Sequence, residues 1–337
     1  MKVYLTGAFE YMDVQVGFGN AASHIYDCLK KSGVDVHLKE LDSNKRYDAD
    51  IEICFDQPHR YKFMSKGFKI GYTPWESTKF MNEWPHNLQK CDEVWTTSNW
   101  CQEVFQKNLP GQNVFTYAHG IDHRFRPKKR RYCPEKPFTF LFIGEPYHRK
   151  DGALVVKTFI DLFGKDPNYR LIVKATKLST IQVSDPKGLV AGPPNAFYDN
   201  IIMLTDMLSP QEMIELYDLA DVFVYPTWGE GFGFNPLQAL AMGIPTIATY
   251  AWADYAKYIT VPIDTMYVES PWPIVHPGMM MRPNASMFKA AMSNAQENYE
   301  ELSSLAFKNS FKIHEEFDWL RVTQPAVKRL EKIFKTL

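Results

Sequence analysis

The sequence predicts an α/β fold of two Rossmann-like domains. Each is a doubly wound parallel sheet, the two face each other across a cleft, and a C-terminal helix packs back on the first. Three observations carry that prediction. Short apolar runs alternate with amphipathic helical segments, the rhythm of parallel sheets built from strand–helix–strand crossovers. The rhythm breaks once, at a basic, proline-bearing stretch over 123–137, and then restarts. The 337 residues also exceed what one hydrophobic core usually supports, so two domains are expected.

In the first half the apolar runs lie at 3–6, 34–38, 51–55, 68–72, 93–97 and 114–117. A helix is expected over 20–31, with Ile25, Cys28 and Leu29 on one face and Gly33 placed to close it. Ser98 is placed to cap a helix carrying Trp100, Val104 and Phe105. The basic run 123–131 then reads either as a solvated linker or as an electropositive rim for an anionic acceptor. The expected domains are 1–126 and 138–317, joined by a linker over 127–137, with a closing helix over 318–337 that returns to the first domain.

The second half repeats the pattern, with runs at 138–143, 171–174, 201–204, 222–225 and 244–248. Ser209 and Glu212 form a capping box with Pro210 at the first helical position, opening a helix with Met213, Leu216 and Leu219 at core spacing. Beyond Pro271 the prolines, Trp272 and Met279, Met280 and Met281 read as irregular structure, the methionines filling gaps. Helical patterns over 285–314 and 325–337 finish the chain.

Composition narrows the function classes. With 45% hydrophobic and 23% charged residues the chain reads as a soluble globular protein, and no run approaches the roughly 18 apolar residues of a membrane span. The first residues enter a strand pattern without the apolar core of a signal peptide, so export is not expected. Cys28, Cys54, Cys91, Cys101 and Cys133 show no C-x-x-C pair or metal spacing, and reduced thiols in a cytoplasmic protein explain them. A net charge of -1 gives no global pull toward nucleic acid or anionic membrane.

The chemistry centres on residues 226–249, PTWGEGFGFNPLQALAMGIPTIAT, which reads as strand end, glycine loop, short helix and next strand. Asn235 suits an N-cap, Pro236 the first helical position and Gly243 the closing left-handed residue, giving a helix of about two turns. The backbone N–H groups of Gly231, Phe232, Gly233 and Phe234 then form an anion site at a helix N-terminus. Glu230 lies just before that loop, and Gln238 falls in the first helical turn, where it can bind a ligand or fold back on the cap. Arg149 and Lys150 follow the strand ending at Ile143; with the loop they could hold a diphosphate, or they could simply solvate a helix start. Residues 17–22 fit G-x-G-x-x-A with Glu40 near the spacing of a ribose-binding acid, but residues 7–16 separate them from their strand. They read better as a glycine loop, with Gly19 closing over a ligand held by the other domain. On the acceptor side the candidates are His24, Trp75, Glu76 and His119.

These residues resemble a known family. Residues 230–249 look like the E-G-F-G-x-P-x-x-E-A-M-A-x-G-x-P-V-I signature of family-4 retaining glycosyltransferases with the GT-B fold. Residues 118–127 are similar to that family's N-G-V-D-x-x-x-F-x-P junction, and Phe317, Asp318 and Trp319 to its closing F-S-W. The resemblance implies that Glu230 contacts the donor sugar, Gln238 the nucleotide ribose, and Arg149 and Lys150 the diphosphate. Two positions depart from the pattern: Gln238 replaces the second acid, and Glu145 stands where a basic residue is usual. The family also offers a cleft histidine from the first domain, a place Glu76 or His24 would fill here. An Asp-x-Asp metal signature is missing, as in the family, where Arg, Lys and backbone N–H groups stabilise the leaving diphosphate.

The expectation is therefore a hexosyltransferase-type, retaining, metal-independent enzyme without a cofactor. A nucleotide diphosphate sugar, UDP- or GDP-linked, would be the donor, with Arg149, Lys150 and Glu230 as its catalytic groups. The acceptor hydroxyl could belong to a glycan, a lipid-linked sugar, a small metabolite or a modified nucleic-acid base. Three alternatives stay open: a nucleotide-sugar-binding protein of the same fold with weak or no turnover, a glycoside phosphorylase, and an NAD-dependent dehydrogenase.

Overall fold

The structure, a computed structural model, describes residues 1–7, 17–41, 48–145, 148–175, 181–185 and 187–337. The first sheet is assembled from β1 (Lys2–Gly7), β2 (Asp35–Lys39), β3 (Ile51–Phe55), β4 (Phe68–Tyr72), β5 (Glu93–Thr96) and β6 (Val114–Thr116), in the order β2-β1-β3-β4-β5-β6. All neighbours pair in parallel. Helices α1 (Gly17–Lys31), α2 (Trp84–Leu88) and α3 (Asn99–Asn108) make crossovers. Every residue of β3 and β5 is buried, Glu52 and Glu93 included, because helices cover both faces of a parallel sheet. Ser98 caps α3 by accepting from the Cys101 N–H at 3.2 Å.

The second unit contains β7 (Phe138–Ile143), α4 (Gly152–Phe163), β8 (Tyr169–Lys174), a two-residue ribbon of β9 (Val183–Ser184) and β10 (Ala191–Gly192), and β11 (Ile201–Leu204). It continues with α5 (Pro210–Asp218), β12 (Val222–Tyr225), α6 (Phe234–Ala241), β13 (Thr246–Thr249) and β14 (Val261–Ile263). Its main sheet is again six parallel strands, ordered β11-β8-β7-β12-β13-β14. The capping box of α5 forms as expected, but Leu219 is exposed because the helix ends before it. After β14 the chain departs from expectation. An antiparallel hairpin, β15 (Thr265–Glu269) and β16 (Met279–Pro283), replaces the irregular stretch, and Met280 and Met281 are buried strand residues. Three helices follow, α7 (Ala285–Asn294), α8 (Tyr299–Glu316) and α9 (Trp319–Phe334), with Pro325 inside α9.

Helix α9 returns to the first sheet. Trp319, Ala326, Val327, Leu330 and Ile333 share one core with Val3, Leu5, Ile51 and Ile53, and Arg329 pairs with the buried carboxylate of Glu93 on β5. The two crossings between the halves lie side by side: the Ile121 N–H donates to Phe317 O at 2.7 Å, and Ile121 bridges to Asp318. Ile121 and Phe125 already pack in the second core, so the crossing precedes residue 126. Part of the basic run is paired within the protein. Arg124 binds Asp122 through Nε at 2.9 Å, while Lys128 and Arg130 reach Asp218 at 3.1 and 2.8 Å. Arg126, Lys129 and Arg131 of the same run are exposed.

Candidate functional site

In the second sheet the strand order reverses between β7 and β12, and in open α/β sheets ligands bind outside the strand ends at that switch point. The loop after β7 delivers Arg149 and Lys150, and the loop after β12 delivers Glu230. The two loops are laced together: Trp228 N–H and Thr227 Oγ1 both donate to Arg149 O, at 2.7 and 3.1 Å. Just beyond Lys150, Asp151 adopts a left-handed backbone (φ 51) and caps α4, accepting from the Leu154 N–H. Its other oxygen accepts from the indole N–H of Trp228 at 2.8 Å, fixing the turn that aims the two cations.

The cations converge on one carboxylate oxygen. Glu230 Oε1 lies 2.6 Å from Arg149 Nη1 and 3.0 Å from Lys150 Nζ, and it accepts from Tyr225 Oη at 2.7 Å. Lys150 Nζ also donates to Tyr225 Oη at 2.6 Å. Burial pushes the Glu230 carboxyl up, but Arg149, Lys150 and Tyr225 outweigh it and hold the pKa at about 2. Burial lowers the Lys150 pKa, Glu230 partly offsetting it; burial likewise works against the Arg149 charge, but Glu230 and Glu76 raise its pKa above the ordinary value. Glu230 and Arg149 are therefore ionised at neutral pH. The guanidinium can exchange a carboxylate for phosphate oxygens without a change in protonation.

Arg149 also reaches across the domain boundary. Its Nη2 donates to Glu76 Oε1 at 3.0 Å, bringing one expected acceptor-side residue to the expected donor-side cations. The glycine loop itself docks on the first domain: Gly231 O accepts from Thr97 Oγ1 at 2.7 Å and Cys101 Sγ at 3.4 Å, and a Cβ on Gly231 would collide with Pro74. Asp254 completes the clasp by accepting from the Asn99 N–H at 3.1 Å, at the start of α3.

Several expected positions differ in detail. Helix α6 begins at Phe234 with Gly233 (φ 79) at the cap position, so Asn235 is not the cap; its amide donates to Ile143 O at 2.9 Å and ties the helix to β7. Pro236 and Gln238 are thereby displaced along the helix, and Gln238 sits in the second turn, where it cannot fold back on the cap. Its Oε1 accepts from Tyr217 Oη at 3.0 Å, and its side chain is buried. Gly19 is the third residue of α1 and not part of a loop, while residues 8–16, which precede it, lie outside the described residues. Glu145 lies close enough to Lys174 to favour its charge, as Asp206 does, against the burial that lowers the lysine's pKa.

Of the other acceptor-side candidates, Trp75 is buried, its indole donating to Lys79 O at 2.9 Å and its ring packing 4.2 Å from Trp84. His24 belongs to the junction: it stacks on Trp319 at 5.0 Å and its Nε2 lies 3.4 Å from Asp122. His119 is buried there too, stacked on Phe234 at 4.9 Å and edge-on to Phe55, Tyr72 and Phe232, with no hydrogen bond to either ring nitrogen among the described residues. Burial, with His24 adding to it, lowers its pKa to about 3, so the ring is neutral.

That neutrality carries a stability prediction. Below the ordinary imidazole range the unfolded chain takes up a proton that the native state refuses, at about 1.4 kcal/mol per pH unit. At about pH 5 the native protein should have lost roughly 2 kcal/mol that His119→Phe retains. Urea unfolding of both proteins at neutral and acid pH measures the difference; parallel losses would refute a buried neutral ring.

No local signal in the chain points to Asp254 or to the hairpin. Tyr225 was findable, since it ends a strand at the switch-point side.

Residues 137–260 match the family model described as Glycosyl transferases group 1. The chain is 34% identical over 142 residues to the lipopolysaccharide core biosynthesis mannosyltransferase LpsB of Rhizobium meliloti, covering 39% of each chain. It spans about a third of the length of the first curated relatives it matches, 33% and 34%. Among solved structures, sucrose-phosphate synthase from Thermosynechococcus elongatus superposes with a TM-score of 0.70 over 100% of both chains at 12% identity. The pneumococcal O-GlcNAc transferase GtfA in complex with UDP and GlcNAc does so with a TM-score of 0.57 at 15% identity, over 94% of this chain and 60% of that one. The chain thus has the two-domain GT-B fold, and its second domain is the part that matches the group 1 glycosyltransferase family.

Proposed function

We propose that the protein transfers a hexose from a nucleoside diphosphate sugar to a hydroxyl acceptor, with retention of anomeric configuration and without a metal ion. One observation carries this reading: Arg149, Lys150 and Glu230 converge at the switch point of the second sheet, beside the N-terminal end of α6. The two cations and the N–H groups of the glycine loop would take the diphosphate and stabilise the charge that grows on it as the glycosidic bond breaks. Glu230, anchored by Tyr225, would accept from donor-sugar hydroxyls. With retention, the acceptor attacks the face the diphosphate leaves, and the departing phosphate receives the acceptor's proton; no protein nucleophile is required. Support for the nucleotide comes from the UDP and GlcNAc held by the similar pneumococcal enzyme.

Incubation with a panel of UDP- and GDP-hexoses, followed by proton NMR, tests the proposal. Release of nucleoside diphosphate, an α-configured product from an α-linked donor, and no loss of rate in EDTA are expected. A β-configured product would overturn retention, and a rate abolished by EDTA would overturn metal independence. A second reading, nucleotide-sugar binding without turnover, draws on Gln238, whose Oε1 is taken by Tyr217 and whose position departs from the acidic signature. Saturable binding with no diphosphate release would favour it.

A further inference from the structure

The β15–β16 hairpin leaves the second domain and grips the first. The Thr78 N–H donates to Met279 O at 3.1 Å, the Met279 N–H to Thr78 Oγ1 at 2.7 Å, and Trp100 Nε1 to Tyr267 Oη at 3.1 Å. Its stem is also tied to the loop that bears Glu230, the Met281 N–H donating to Trp228 O at 2.9 Å. The connecting residues 270–278 are therefore held over the junction of the two domains. Within them the His276 N–H donates to Trp272 O at 2.8 Å, and the resulting turn points the imidazole at the first domain. The ring lies 5.7 Å from that of Trp75, and its Nδ1 is 3.9 Å from Glu76 Oε2.

Glu76 thus stands between two groups of the other domain, Arg149 on Oε1 at 3.0 Å and His276 on Oε2. We propose that His276 is a positioning residue for Glu76, taking over as its counter-charge when a donor diphosphate draws Arg149 away, so that Glu76 stays in place to receive the acceptor hydroxyl. The assignment rests on the reading of Arg149 as a diphosphate ligand. Glu76 is 19% exposed, and a carboxylate that buried is unfavourable without a partner. The imidazole, a cation when protonated, is already beside its second oxygen, and closing 3.9 Å to a hydrogen bond needs a shift of only about 1 Å. Among the described residues, the charges near the turn include Lys79, against Gly278, and Asp151, which Trp228 binds where it packs on Trp272. Protonated His276 holds Glu76, so turnover should fall as pH rises through the imidazole range.

The test compares wild type, His276→Gln and His276→Lys. Binding of UDP and GDP is measured by calorimetry, and nucleoside diphosphate release from UDP- and GDP-hexoses is followed from about pH 5.5 to 8.5 with glycerol as the probe acceptor. His276→Gln should bind nucleotide within about twofold of wild type, turn over roughly tenfold more slowly at the acid end and lose the alkaline fall. The lysine variant should restore turnover and move the fall to higher pH, and Glu76→Gln should show the same flattened profile as His276→Gln. A His276→Gln profile that superimposes on wild type overturns the proposal. So does an equal loss of binding and turnover that lysine fails to rescue, the mark of a merely structural hairpin. Wild-type protein that binds neither nucleotide refutes the transferase reading, and this assignment with it, whereas normal binding with an unchanged variant profile refutes this assignment alone.

Discussion

Lys150→Ala is expected to lower transfer by about 100-fold or more while the protein stays folded, because loss of one preorganised donor to a leaving group typically costs 10²–10³ in rate. Lys150 is only partly exposed, yet its removal leaves Glu230 with Arg149 at 2.6 Å and Tyr225 at 2.7 Å, so the buried carboxylate keeps its compensation. Glu230 is different. Glu230→Ala would take the counter-charge from Lys150 and leave Arg149 with Glu76 alone, and breaking a buried pair costs about 3–5 kcal/mol. A dead Glu230→Ala protein would thus report instability as much as chemistry. Glu230→Gln keeps the volume and one acceptor oxygen; it should lose activity on a similar scale to Lys150→Ala with a smaller fall in melting temperature. Transfer rates and melting curves for the three variants check this, and wild-type rates in Lys150→Ala would remove the assigned role.

Gly231→Ala should uncouple the domains. The added methyl group meets the rigid ring of Pro74 and sits 3.0 Å from the Trp75 nitrogen, neither of which can yield as the end of a flexible side chain would. The carbonyl of Gly231, which takes the hydroxyl of Thr97 and the thiol of Cys101, would be pushed out of register with the first domain. Closure excludes water and completes the site, and a misplacement of about 1 Å can cost roughly 100-fold. The variant should show at least a tenfold loss of turnover, unchanged nucleotide affinity on the second domain, and a larger radius of gyration by X-ray scattering. An unaltered radius and rate would mean that the contact is incidental.

Strands β3, β4, β7, β11 and β12 were legible to the residue because each is a mostly apolar run bounded by polar or turn residues. The capping box at Ser209 and the cap at Ser98 were legible because they are local hydrogen-bond chemistry. Strand order was not, since nothing local distinguishes which parallel neighbour a strand selects, and so the switch point between β7 and β12 appeared only in three dimensions. The start of α6 was misplaced by two residues for a related reason: Asn235 is a good cap in isolation, but its amide is committed to Ile143 of another strand. Glu230, Arg149 and Lys150 could each be named from the sequence. That their charges meet at one oxygen, and that Glu76 reaches Arg149 from the other domain, depends on long-range packing that no spacing encodes. The hairpin escaped because its alternation is hidden by three consecutive methionines and a proline-rich turn.

The most direct test of the account is calorimetric titration of UDP and GDP into the wild-type protein and into the Arg149→Ala, Lys150→Ala double variant. Saturable binding of at least one nucleotide by wild type is expected, with a loss of at least 100-fold in affinity in the variant, about 2.7 kcal/mol, from two charge-assisted contacts. Equal affinity in the two proteins, or no binding of either nucleotide to wild type, would contradict it.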